Sequence, residues 1–159
     1  MRSGCAGLAL FLPGCAAEAP APVDAGPRMP PPEWAIGTWV IVRAVQPGVG
    51  ALGVEEAARW RGRRLVLSDS AAKGPDALCD RPSYREMLVA SDSVLAEFKL
   101  AAGTLPLREG STTQLAVQCR GIAWVAFGAR ALATMPDTVL VPWDGTFFVL
   151  GRLAASDSP

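Results

Sequence analysis

The sequence predicts an all-β fold, a small antiparallel barrel of about eight strands carrying one short helix. Three observations predict it. Half of the 159 residues are apolar, enough for a single body of this length to bury its own core. From Gly37 onward the apolar residues come in short β-branched and aromatic runs, punctuated by Gly, Pro and Asp. Only one segment has the charge order of a helix. Strands with one apolar face must bury that face and hide their edges, and a small barrel does both.

The first strand spans Gly37 to Val45 (GTWVIVRAV) and ends at the turn Gln46-Pro47-Gly48. The helix follows at Val54 to Arg61, with Glu55 and Glu56 in its first turn, Arg59 and Arg61 in its last, and Gly62 as its stop. Arg64 to Leu67 is a short apolar strand. Tyr84 to Ala90 and Val94 to Leu100 are weaker strand signals, and the second reads equally well as helix. Thr113 to Arg120 alternates, with Leu115, Val117 and Cys119 on the inward face and Gln114, Gln118 and Arg120 outward. Ile122 to Phe127 reads as its neighbour across Gly121. Val139 to Trp143 and Thr146 to Leu153 flank Asp144-Gly145, a pair suited to the positive φ angles of a type I′ hairpin turn. Pro142 has no N–H for a ladder, so its amide position should face an open side or a bulge.

The N-terminus reads as an address. Met1-Arg2 is a minimal basic start, followed by an apolar run from Ala6 to Leu12 that is too short to span a bilayer. It leads into Leu12-Pro13-Gly14-Cys15, which resembles the lipobox of bacterial lipoproteins. That resemblance implies diacylglycerol on Cys15, a membrane partner through the lipid anchor and, with Ala16 next in line, the outer membrane facing the periplasm. The alternative is signal cleavage after Ala17-Glu18-Ala19, leaving a soluble periplasmic or secreted protein. The domain plan is a signal peptide over 1–14, a lipid anchor and Pro/Ala-rich linker over 15–33, a barrel over 34–153 and a tail over 154–159. A polyproline-like linker extends about 3.1 Å per residue, enough to hold the body roughly 50 Å from its anchor.

Fifteen basic residues balance fifteen acidic ones, so no global field draws nucleic acid, and none is expected as a partner. Histidine is absent, which excludes His-based triads and His-based zinc sites. No cofactor and no metal site is expected, and the chain does not read as an enzyme. Of the four cysteines, Cys5 would leave with the signal and Cys15 would carry lipid. Cys79 and Cys119 remain, and an exported chain would join them as a disulfide; two buried thiols are the alternative.

Ser70-Ala71-Ala72-Lys73 fits the Ser-x-x-Lys pattern of penicillin-recognising enzymes, but Gly74-Pro75 follows at once and no Lys-Thr-Gly occurs, so it reads as coincidence. Arg59, Arg61, Arg63 and Arg64 form the densest basic run, suited to a phosphate, a lipid headgroup or an acidic polymer, or else a solvated helix end. Trp34, Trp39, Trp60, Trp124 and Trp143 either line an apolar pocket or fill the core.

Gly37-Thr38-Trp39 at the head of the first strand resembles the Gly-x-Trp signature of lipocalins and related calycin barrels. The resemblance implies that Trp39 packs at the closed end of the barrel beneath Arg152, a barrel-closing cation–aromatic pair. Cys79-Asp80-Arg81-Pro82-Ser83-Tyr84 and Trp143-Asp144-Gly145-Thr146-Phe147-Phe148 are similar to segments of lipocalin-like bacterial envelope proteins. That resemblance implies a fold and an address and no settled activity. The expectation for function is a small apolar or amphipathic ligand in the mouth opposite the Trp39/Arg152 end, with no ligand-binding residue named. The alternative is a non-enzymatic module that docks on a cell-envelope enzyme through exposed loops, which a solid core would favour.

Overall fold

The computed structural model describes residues 28–48 and 50–154. The expected signal peptide with Cys5, the lipobox-like segment with Cys15, most of the expected linker and the tail beyond Ala154 lie outside them. Among the described residues the chain folds as β1 (Gly37–Val45), α1 (Val54–Arg59), β2 (Arg64–Leu67), β3 (Ala71–Lys73), β4 (Leu78–Asp80), β5 (Pro82–Ala90), α2 (Ser91–Glu97), β6 (Ser111–Cys119), β7 (Ile122–Ala123), β8 (Arg130–Met135), β9 (Thr138–Trp143) and β10 (Thr146–Arg152). The all-β class holds, with ten strands rather than about eight and two helices rather than one.

All the strands belong to one antiparallel sheet in the order β4-β3-β2-β1-β10-β9-β8-β6-β5, with β7 as a short side branch on β6. Every pairing joins strands that are close along the chain except at one place. There β1 runs beside β10, from Trp39 against Arg152 to Val45 against Phe147, with an extra residue at Val42 that bends the strand. This pairing makes a single curled sheet from two local meanders, β1 to β4 and β5 to β10. The predicted turn at Asp144-Gly145 has φ of 49° and 75°, the left-handed pair that a type I′ turn needs. Arg120 and Gly121 repeat that geometry between β6 and β7, at φ 53° and 82°, so Arg120 is a turn residue and not the last residue of the strand. In a two-residue hairpin the turn-flanking residues bond to each other, so Pro142, one step out, turns its nitrogen away from β10. On that other side the pairing of β9 with β8 has already ended at Leu140.

The sheet curls into a half-barrel, and its edge strands β4 and β5 do not pair, so the expected hydrogen-bonded closure is absent among the described residues. Side chains bridge the gap instead. Cys79 on β4 is bonded to Cys119 on β6, with Cα atoms 5.6 Å apart. The Tyr84 hydroxyl donates to the Ser68 carbonyl at 2.8 Å. Arg120 reaches Asp80 at 2.7 Å. The linker's last residues also belong to this seam, since the Tyr84 N–H donates to the Met29 carbonyl and the Met29 N–H to Ser83 Oγ. The folded body therefore starts before the predicted boundary at Trp34.

Two apolar cores lie on opposite faces of the sheet. Strand side chains alternate, so Phe148 and Leu150 point into the concave face with Trp39, Leu65, Tyr84 and Leu115, whereas Phe147 and Val149 point out. α2 and the chain after it cover the outer face, packing Val94, Leu95 and Leu105 on Leu132, Leu140, Phe147 and Val149. Burial on both faces accounts for the unbroken apolar run of β10.

Candidate functional site

The two ends of the half-barrel differ. At the end bearing the Asp144-Gly145 turn, the chain after α1 drives Trp60 into the concave face, where its ring lies 5.2 Å from both Phe127 and Phe148. Phe127 in turn meets Trp143 edge-on at 6.5 Å. The Ala51 N–H donates to the Asp144 carbonyl at 3.0 Å, drawing the preceding loop over the turn. Aromatic rings thus fill the mouth opposite the Trp39/Arg152 end, where a ligand is expected from the sequence. Two of the rings, Trp60 and Phe127, come from segments whose inward course has no periodicity to reveal it: Trp60 follows α1, and Ile122 to Phe127 is strand only over its first two residues and then turns in.

At the other end Arg152 stands over Trp39, its guanidinium carbon 4.2 Å from the ring centroid. Stacking of this kind contributes about 0.5–2 kcal/mol. The same guanidinium binds Asp137 Oδ1 at 2.7 Å and donates to the carbonyls of Trp34 and Ile36. The Trp39 indole N–H donates to the Ala35 carbonyl at 2.9 Å. Arg152 therefore clamps the turn that leads into β1. It also accounts for Gly37, which has φ of 130° and where a Cβ would come within 3.0 Å of the Arg152 guanidinium.

Beside this clamp the concave face stays open as a groove of about 410 Å³. Its floor is Trp39, Ala133 and Val139, its walls carry Trp34, Thr113, Met135 and Thr138, and Arg108 and Arg152 flank it. Trp34 is steered by its indole N–H, which donates to Glu86 Oε1 at 2.6 Å. Arg152 is saturated by the partners above, whereas Arg108 forms no ion pair among the described residues. The groove therefore offers an apolar floor, hydroxyls and one uncommitted cation, a combination suited to an amphipathic molecule with an acidic head.

Other sequence candidates disperse. Ser70 lies in the turn before β3 and Lys73 at its end; the Ser70 hydroxyl faces Ser68 Oγ at 3.3 Å, and no contact joins Ser70 to Lys73 among the described residues. Of the basic run, Arg59 pairs with Glu56 at 3.0 Å and Arg63 stacks over Trp60 at 4.9 Å. Arg61 turns with Arg43 toward a separate groove between α1 and β1. Among the tryptophans, Trp39, Trp60 and Trp124 are buried, and Trp34 and Trp143 are partly so. Arg108 and Thr113 carried no sequence signal, because a single Arg in a loop and a Thr in a strand acquire meaning only once the sheet brings them together. Asp80 is held below the usual carboxylate range by its hydrogen bond from Arg120, and burial pushes Tyr84 up to about 12. Both groups belong to the seam and not to the groove. No helix among the described residues is long and apolar enough to cross a membrane. No protein-family model matches this chain, and comparison with curated proteins and with solved structures likewise finds no match, so its functional reading rests on its own geometry.

Proposed function

We propose that the chain is a non-enzymatic binding protein of the bacterial envelope, tethered through Cys15, whose lipocalin-like half-barrel holds a small amphipathic molecule. The observation that carries this reading is the groove of about 410 Å³ at the Trp39/Arg152 end, apolar at its floor and with Arg108 free at its rim. The volume lies within the range of small-molecule sites, and the Arg152 clamp holds the groove's walls in place without a ligand. An acyl or aryl body on Trp39, Ala133 and Val139, with an acidic head toward Arg108, satisfies both kinds of surface.

The test is native mass spectrometry of the chain purified from its own envelope under oxidising conditions. A small molecule retained by the wild type and missing from Ala133→Trp, which fills the groove, is the expected outcome. Bare masses for both proteins would overturn the reading. They would favour instead an interaction module acting on an envelope enzyme, a reading supported by the aromatic filling of the opposite mouth and by the exposure of Ile122 (72%) and Val125 (88%) beside it.

A further inference from the structure

β2 begins at Arg64 opposite Val40, and Ile41 still bonds to Arg63 and Gly62 just ahead of it; past Ile41, β1 has no strand beside it on that side. α1 lies along the exposed stretch, leaving a second groove of about 490 Å³ whose floor is Ile41 and Ala57. Its rim is both apolar and cationic. Val42, pushed out by the irregularity in β1, is 41% exposed, and Val54 at the start of α1 is 74% exposed. Arg43 and Arg61 flank them, and neither forms an ion pair or side-chain hydrogen bond among the described residues. The nearby acid Glu56 is already tied to Arg59 at 3.0 Å, which leaves Glu55 as the only uncommitted carboxylate on α1.

We infer that this α1/β1 groove is a docking face for the surface of an anionic phospholipid membrane. Two guanidinium forks suit phosphodiester oxygens, which accept paired N–H donors. The two exposed valines between them suit the boundary between headgroups and acyl chains, where apolar side chains gain by leaving water. A soluble phosphate ion would use the arginines and leave the valines wet. The anionic surface uses both, and that complementarity selects it as occupant. The face lies apart from the Trp39/Arg152 groove and does not depend on what that groove binds.

The test is co-sedimentation of the full chain carrying Cys15→Ser, which has no acyl attachment point at that residue, with vesicles of phosphatidylcholine alone or mixed with phosphatidylglycerol. Binding to the anionic vesicles only is expected, falling as salt rises. Arg43→Gln and Arg61→Gln should each weaken it about fivefold, Val54→Asp should weaken it further, and Arg108→Gln should leave it unchanged. Both arginine side chains lie at the surface, and near-ultraviolet circular dichroism checks that the variants keep their packing. Equal binding to both vesicle types, or undiminished binding by the Arg43→Gln/Arg61→Gln double variant, would overturn the proposal. So would binding of inorganic phosphate without binding of anionic vesicles.

Discussion

The concave and convex cores share β10 yet are built on different plans. The concave core gathers residues from Ala35 to Leu150, is rich in mutually packed aromatic rings, most of them tilted or edge-on, and is finished by contacts that cross the unpaired seam between β4 and β5. The convex core is mainly aliphatic and comes almost wholly from Val94 onward, with α2 and its following loop laid on β8, β9 and β10. One aromatic contact serves it, Phe98 edge-on to Phe147 at 4.7 Å. The concave core thus depends on the whole sheet being assembled, whereas the convex core depends on α2 and its loop seating on three neighbouring strands, so the expected local event is release of that cover with the sheet intact. A difference of this kind is what separates global from local unfolding.

The strongest way to break the comparison is to hollow the concave side. Phe148→Ala removes a fully buried ring touching Trp60 and Phe127 and should cost about 3–5 kcal/mol in denaturant unfolding, with protection against amide exchange lost across all strands together. Removing the seam comes next. Cys79→Ser/Cys119→Ser should cost about 3–4 kcal/mol on the chain-entropy account of a cross-link, and again the loss should be global. Leu95→Ala, under that cover, should cost about 2–3 kcal/mol and read out differently, as faster exchange at residues 91–107 while β1 and β10 keep their protection. Equal loss of protection in both regions would merge the two cores into one cooperative unit.

A smaller effect sharpens the same distinction through pH. Burial, reinforced by the charge of Asp69, raises Tyr84 from its ordinary value of 10.0 to about 12. Its neutral form is favoured by folding, so the associated stability is complete below pH 10 and is lost as pH climbs from there through about 12. The full shift corresponds to about 2–3 kcal/mol. Alkaline titration of unfolding should show this loss in the wild type and not in Tyr84→Phe, which instead gives up about 1 kcal/mol at neutral pH with its hydrogen bond to Ser68.

What the sequence revealed followed from how much of each element's fate is local. β1 and β2 agree with the predicted runs residue for residue: β1 is a β-branched and aromatic run stopped by Gln46-Pro47-Gly48, and β2 is a short apolar run between Gly62-Arg63 and the polar turn Ser68-Asp69-Ser70. The β9–β10 hairpin is announced by Asp144-Gly145. β8 (RALATM) is invisible by contrast, since Arg, Ala and Met carry no strand preference and its extended form is imposed by β6 and β9 on either side. β3 and β4 are three residues each, too short to show alternation. Val94 to Leu100 reads equally as strand or helix, and the structure makes its first half the end of α2 because Val94 and Leu95 then meet the sheet's outer face together. At the candidate site, the geometry that sets Trp39 beneath Arg152 corresponds to a pair legible at the two ends of the domain. The open groove beside it was not legible, because nothing in the order of residues says that Trp60 fills the opposite mouth.

The pairing of β1 with β10 also sets a timetable. Wherever the chain folds, the partner that completes the first meander on that side is the last of the described strands, and until β10 is in place β1 keeps one edge unpaired. Long-range pairing of this sort is slow to form, and open edges are exposed to wrong partners while they wait. The second meander can assemble by itself from neighbours in order, then receive the first along β10. Such a chain completes its sheet in one late step, and the disulfide from Cys79 of the first meander to Cys119 of the second holds the two together once they have met.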